Sequence, residues 1–212
     1  MKKIKFIVFI CLFILLPLAY FNGFIRISDL TSEQESIAKK YGGVYVFDEK
    51  LEKEIDKREE ERRIMTKGLS GKKIAENRYA VDMKPVNEKL PRVLSNGKKY
   101  YVTTRDYGND FKKKAEVPEI YLNKIIEFIG KDYDIYTPNV TLRYFYTDDN
   151  GSIMPIKTIA TYIYEITTFG ISGDEASGIK FSSSNLAAAK GGNRFEFINN
   201  KFEKVSTSDK DK

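Results

Sequence analysis

The residue types that carry most enzymatic chemistry are sparse in this chain, and histidine is absent from all 212 residues. This absence excludes Ser-His-Asp and Cys-His catalysis, histidine-bound zinc or copper, and the commonest proton shuttle near neutral pH. Ser70 and Lys73 have Ser-x-x-Lys spacing, and residues 183–185 form a Ser-x-Asn triplet, but no Lys-Thr-Gly follows them. We therefore predict no catalytic residue, no cofactor and no metal site.

Paired carboxylates remain as a route to glycoside hydrolysis, which needs two acids about 5 to 9.5 Å apart across a cleft. Glu165 is the only acid in a strongly apolar strand pattern. Three further acids stand near predicted strand ends: Asp148, Asp149 and Asp174. The alternative for Glu165 is a structural one, in which it faces outward or pairs with Arg143 on a neighbouring strand.

A basic cluster next to an aromatic residue is the main candidate for a binding surface. The stretch "DFKKKAE" places three lysines beside an aromatic ring, and "NGKKYY" adds Lys98 and Lys99 nearby. The candidate partner surface comprises Arg105, Phe111, Lys112, Lys113 and Lys114. Such a surface suits an anionic partner. The alternative is a set of solvated loop lysines, because arginine is the usual residue for bidentate anion recognition.

The first 27 residues have the composition of a membrane segment. The apolar stretch 4–21 contains one charge, Lys5, and the charge-free run at residues 6–25 meets the length rule for a membrane-spanning helix; no A-x-A-like cleavage site follows it. Three lysines precede this run and only Arg26 follows it closely, so the positive-inside rule predicts a cytoplasmic N-terminus. The sequence thus predicts a single-pass signal anchor with an extracytoplasmic C-terminal domain, periplasmic in a Gram-negative cell; cleavage is the alternative.

Outside this segment the charges nearly balance. Residues 1–27 hold four of the 36 basic residues and none of the 30 acidic ones, which leaves 32 basic against 30 acidic residues. This balance gives no electrostatic argument for nucleic acid, and we predict no nucleic-acid partner. The single cysteine, Cys11, lies in the apolar segment, so no disulfide can form within the remainder.

Residues 28–78 are predicted to be helical, highly charged and close to the membrane. Ser32 is predicted to be the N-cap residue of a short helix, and Glu35 completes its capping box. Opposite charges at i,i+4 spacing, such as Glu49 with Lys53, then continue to residue 67. The apolar stripe of this second helix is narrow and interrupted. It favours a solvated helix or a partly disordered connector, with a stalk or partner helix as the alternative.

Residues 79–206 show short strand patterns separated by turn signals, and the polar residues 207–212 are predicted to be disordered. Three dipeptides that favour hairpin turns lie between strand patterns: Asn96-Gly97, Asn150-Gly151 and Asn199-Asn200. Tyrosines and phenylalanines, 14 of each, alternate with polar residues as they do in a sheet core.

One amphipathic helix is predicted between the first two hairpins, in "VPEIYLNKIIEFIGKD". Pro118 suits its first position and Gly130 suits its C-terminal cap. The predicted fold is therefore α+β: an N-terminal transmembrane helix, then a mainly antiparallel β-sheet domain with one packed amphipathic helix.

These features favour a membrane-anchored, extracytoplasmic protein-binding domain, an accessory or inhibitor-like envelope protein without enzymatic activity. One alternative is a structural subunit of a secretion or surface-assembly machine, in which the charged helix self-associates. The other is a carboxylate-dependent envelope polysaccharide hydrolase. The first needs a protein partner, the second predicts multimers, and the third predicts activity that depends on Glu165.

Overall fold

The computed structural model describes residues 2–15, 22–76, 78–174 and 178–205. The strands are β1 (Asn22–Ser28), β2 (Gly43–Val46), β3 (Lys72–Ala75), β4 (Arg78–Ala80), β5 (Tyr100–Tyr101), β6 (Asn139–Thr147), β7 (Ile153–Thr161), β8 (Ile163–Asp174), β9 (Gly178–Ala188), β10 (Asn193–Ile198) and β11 (Lys201–Val205). The helices are α1 (Lys2–Ile10), α2 (Ser32–Tyr41), α3 (Glu49–Lys67), α4 (Lys84–Lys89), α5 (Thr104–Phe111), α6 (Glu119–Ile129) and α7 (Asp132–Ile135), with a π-helical segment at Cys11–Leu15.

Six strands form the central sheet, in the order β11-β10-β2-β7-β6-β5. The pairing of β10 with β2 is parallel, and every other pairing in this sheet is antiparallel. Only β5 is very short, and it pairs with β6 at two positions, Tyr100 with Tyr146 and Tyr101 with Phe145. Consequently most of β6 extends past the end of its outer neighbour.

A second, three-stranded antiparallel sheet has the order β1-β8-β9. A single residue, Tyr162, separates β7 from β8, so the chain passes almost directly from the central sheet into this one. Where burial is described for β1, β8 and β9, none of their residues belongs to a buried core cluster. We call this sheet the arm. A short hairpin of β3 and β4 follows α3 in the chain.

Side chains of the central sheet alternate between two helical layers, because successive strand residues point to opposite faces. Phe195 of β10 packs on Tyr45 of β2 and on Phe128 of α6, with ring centroids 4.7 and 5.0 Å apart. Its neighbours Arg194 and Glu196 belong to the opposite face, which α3 covers. The largest buried cluster lies on the α2 and α6 side: Ile37, Ala38, Tyr41, Tyr45, Ile125, Ile129, Ala160, Tyr162, Phe195 and Phe202.

A buried ion cluster fastens α3 to the sheet. Glu52 of α3 is 1% exposed, and Arg194 donates hydrogen bonds to both of its carboxylate oxygens. The Nζ atom of Lys157 on β7 lies 3.0 Å from Oε1 of Glu52, and Nε of Arg194 donates to Glu196 at 2.8 Å. Burial alone would raise the pKa of Glu52, but the hydrogen bonds from Arg194 and Lys157 outweigh it and lower this pKa to about 2.

The charged helix predicted near residue 49 exists, but it is neither solvated nor disordered. Helix α3 buries Ile55, at 0% exposure, against the sheet together with the ion cluster. A narrow apolar stripe is enough to hold α3 on the sheet because Glu52, a charged residue of the same helix, is buried with its ion-pair partners. Leu51 and Ile55 of this stripe pack in the chain's own core, whereas Ile64 is 59% exposed.

Local turn and cap signals are largely confirmed. Asn199 and Asn200 have φ values of 48° and 68°, and they join β10 to β11 as a primed turn requires. Helix α6 ends at Gly130, with φ of 65°, and Pro118 is its N-cap residue rather than its first helical residue. Helix α2 begins one residue earlier than predicted, because Thr31 makes the capping box.

The predicted architecture is wrong in two respects, although the structure is α+β. The sheets are mainly antiparallel, as predicted, apart from the parallel pair of β2 and β10, but helices cover both faces of the central sheet rather than one, because α3 also carries buried side chains. Among the described residues, no helix is long and apolar enough to cross a membrane. The nine-residue α1 rises only about 14 Å, against a hydrocarbon core of about 30 Å.

The error at the N-terminus also has a physical explanation, because a strand lies where the anchor was predicted to end. Residues 22–27, assigned to the anchor from sequence, belong to strand β1, which pairs with β8. This pairing and the lack of a sufficiently long apolar helix among the described residues overturn the predicted transmembrane helix, the signal anchor, the single-pass topology and the extracytoplasmic location. Part of the apolar run, residues 16–21, and the predicted disordered tail, 207–212, lie outside the described residues.

Candidate partner-binding groove

The candidate site is a groove along the outer edge of β6. The chain leaves the sheet after Tyr101, because Thr103 caps α5 by accepting a hydrogen bond from the Asp106 amide at 3.1 Å. Within the described chain, no strand pairs with residues 139–143 on that side of β6. A run of five extended residues, about 17 Å long, therefore presents its edge to a cavity of 590 Å³.

The groove is built by α5, the loop after it, and the segment around α7. Ala115 of this loop is 5% exposed and packs with Leu142 of β6 and Tyr107 of α5, which forms an apolar base. The lining residues are Thr103, Thr104, Lys114, Ala115, Glu116, Val117, Leu122, Tyr133, Pro138, Asn139, Val140, Thr141, Leu142 and Arg143. Alternation along β6 buries Leu142 and leaves Thr141 and Arg143 exposed.

The residues predicted to form a partner surface lie at or beside this groove. Lys114 lines it, and Lys112 and Lys113 immediately precede Lys114 in the loop. Arg105 follows a lining residue, Thr104, in the first turn of α5. Phe111 is 46% exposed; its ring stacks on Tyr107 of the same helix at 4.7 Å and lies edge-on to Tyr101 of β5 at 6.2 Å, so it helps to pack α5 against the sheet.

Positive charge dominates the groove. Lys114 pairs with Glu116 at 2.9 Å, and both side chains are mostly exposed. In the part of the chain that the structure describes, four cations beside them form no ion pair: Arg105, Lys112, Lys113 and Arg143. The lining residues therefore include two cations and one carboxylate, and Arg105, Lys112 and Lys113 lie next to lining residues in the sequence, as Asp132 and Asp134 do beside Tyr133.

Nearby acids on α5 do not neutralise this charge, because other cations engage them. Asp106 accepts a hydrogen bond from Arg92 at 3.1 Å. Asp110 pairs with Lys99, and the hydrogen bond from Lys99 lowers the pKa of Asp110. The hydroxyl of Tyr101 also donates to Asp110, at 3.2 Å, and burial followed by this bond raises the pKa of Tyr101 to about 12.

Comparison of the chain with protein-family models, with curated proteins and with solved structures found no match. The groove's own geometry and charge therefore decide which function it supports.

Sequence reasoning missed the part of the site that β6 supplies. Arg143 was considered only as a partner for Glu165, but the two lie in different sheets and form no ion pair within the described residues. Its position in a strand pattern was visible. Its place on an open edge was not, because that depends on β5 ending after two residues.

The residues weighed for catalysis are not brought together. Glu165 is exposed on β8 of the arm, opposite Leu186, whereas Ser70 is an exposed residue that precedes β3 and Lys73 is an exposed residue within it. Asp148 accepts hydrogen bonds from the Asn150 and Ser152 amides and so stabilises the β6–β7 turn. Over the described ranges, no cluster of three carboxylate or cysteine side chains could hold a metal ion.

Proposed function

We propose that this chain is a non-enzymatic protein-binding domain that takes an extended, acidic segment of a partner protein into the groove beside β6. The observation that carries the proposal is the coincidence of an open strand edge at residues 139–143 with the unpaired cations around it. It would act as an accessory or inhibitor-like protein, by occluding or tethering the segment that it holds.

The open edge supports an extended protein segment as the ligand. An added strand would satisfy the outward amide and carbonyl groups of residues 139–143 with its own backbone, as in other complexes formed by strand addition. Alternate side chains of that strand would then point toward the apolar base at Ala115 and Leu142 or outward to solvent. A nucleic acid lacks the repeating backbone donors and acceptors that this edge would pair with.

The charge supports an acidic segment. Arg143 and Lys114 line the groove itself, so carboxylates at alternate positions of an added strand would reach them. Arg105, Lys112 and Lys113 are sequence neighbours of lining residues and would attract an acidic chain before contact. Binding should therefore weaken as salt is added, chiefly through a slower association rate.

Selection from a library of random twelve-residue peptides displayed on phage tests the proposal. We expect the wild-type chain to enrich peptides with Asp or Glu at alternating positions and no proline in their central residues, because proline cannot complete a ladder. The affinity of one enriched peptide is then measured by fluorescence anisotropy at two salt concentrations. A version with proline at its centre should not bind.

Charge-reversal variants locate the site. Arg143→Glu should weaken binding of the enriched peptide roughly tenfold, since it replaces an attraction with a repulsion. Lys204→Glu makes the same kind of change on β11, at the opposite end of the sheet, and is the matched control. The proposal fails if no acidic peptides are enriched, or if both variants alter the affinity equally.

A further inference from the structure

The outer edge of β9 in the arm is unprotected. This strand has 11 residues and only one charged side chain, Lys180. Among the described residues, no strand pairs with its outer side. The two ends of the central sheet differ from it, because β11 has five residues of which three are charged, and β5 has two residues. Natural edge strands are normally short, charged or covered, so an open edge of this length favours pairing with another strand.

We infer that β9 pairs with β9 of a second copy of this chain, antiparallel and about a two-fold axis at Ser183. A two-fold axis makes the interface self-complementary, as in most homodimers. The two arms would form one sheet of six strands, β1-β8-β9 of one copy followed by β9-β8-β1 of the other. This surface is separate from the groove beside β6, and the inference does not depend on the proposed function.

Charge complementarity selects the register. With Ser183 opposite its symmetry mate, Lys180 lies opposite Leu186 of the second copy. Within each copy, Leu186 pairs with Glu165 of β8, so these directly opposed side chains share one face. Lys180 and the Glu165 of the other copy are then two strand spacings apart, about 9.6 Å, a distance that the two long side chains span together. Symmetry forms this ion pair twice.

Both residues are available for this pairing. Lys180 and Glu165 are exposed, and neither forms an ion pair with any described residue of its own chain. Inside one copy they cannot meet, because Lys180 pairs with Ser172 and lies six residues from Leu186 along β9, about 20 Å away. The aliphatic stem of Lys180 would also cover Leu186, which is 76% exposed in the single chain.

Sedimentation equilibrium of the full chain between about 1 and 100 µM tests the dimer. We expect the wild type to fit a monomer–dimer equilibrium. Ser183→Lys should leave a monomer throughout this range, because two lysines would oppose each other at the axis. Lys180→Glu and Glu165→Lys should each raise the dimer dissociation constant roughly tenfold, since each loses two exposed ion pairs and gains two repulsions.

The double variant Lys180→Glu/Glu165→Lys is the decisive control. It reverses both charges, so it should restore the dissociation constant to within about threefold of the wild type. Rescue also shows that neither single change has simply unfolded the arm. A wild-type chain that stays monomeric overturns the inference, as does association that Ser183→Lys leaves unchanged. If the double variant does not recover the dimer affinity that the single variants lost, the register centred on Ser183 is wrong.

Discussion

Glu52→Gln tests how strongly the buried ion cluster holds α3 on the sheet. The substitution keeps the size of the side chain but removes its charge, which leaves Arg194 with Glu196 and removes the carboxylate that Lys157 contacts. Because the cluster is buried, the loss of one partner leaves positive charge in a poorly solvated place. We expect a large loss of folding stability at pH 7.

The magnitude follows from the pKa of Glu52. The folded state lowers it from 4.5 to about 2, and each unit corresponds to about 1.4 kcal/mol, so the ionised form contributes about 3 kcal/mol. A group whose pKa is lowered by folding stabilises the protein above its unfolded pKa. This contribution is therefore complete above about pH 5 and disappears as the pH falls from 4.5 toward 2.

Urea unfolding of both proteins at several pH values measures the effect. At pH 7 the midpoint of Glu52→Gln should fall by about 1 M, for a slope of about 3 kcal/mol per M. The difference in unfolding free energy between wild type and Glu52→Gln should narrow below pH 4.5. Glu60→Gln is the control, since it changes an exposed pair with Arg63 on the same helix and should hardly move the midpoint. A gap below about 1 kcal/mol at pH 7, or one that does not depend on pH, would refute the reasoning.

Three further substitutions test the packing of the central sheet, each measured by thermal unfolding. Gly43→Ala should cost at least about 3 kcal/mol of folding stability, because φ is 149° and the new Cβ would lie 2.0 Å from the Asn193 carbonyl oxygen. A normal melting temperature would disprove the close contact of β2 with β10. Asn199→Val should cost about 1 to 2 kcal/mol, because φ at this turn is 48°, and an unchanged melting temperature would argue against the primed turn. Ile55→Ala should cost about 2 to 5 kcal/mol and lower the melting temperature by roughly 10 °C, whereas a solvated α3 would tolerate it.

The features that local chemistry controls could be predicted from the sequence. A turn at Asn199-Asn200 and a helix end at Gly130 each depend on a few neighbouring residues and their preferred φ. The parallel pairing of β2 with β10 could not be predicted, because it joins residues about 150 positions apart and leaves no local pattern. Burial of Glu52 could not be predicted for the same reason, since its partners, Lys157 and Arg194, are far from it in the sequence.

The N-terminal segment shows the opposite failure, in which a strong local signal gave a wrong result. Its charge-free run satisfies a length rule for membrane spans, yet Asn22–Ser28 obtains its backbone partners from β8. At the groove, the lysines were visible as a cluster and the cap at Thr103 that ends β5 is local, but nothing local indicates that β5 pairs with β6. The open edge of β6 could be identified only once the order of the strands was known.

Hydrogen exchange followed by mass spectrometry, with and without an acidic peptide enriched by the wild-type chain, tests the central claim most directly. An added strand should slow exchange of backbone amides within residues 139–143, and the Arg143→Glu variant should lose this protection at the same peptide concentration. Protection confined to other segments, with residues 139–143 exchanging as fast as in the free protein, would contradict binding in the groove.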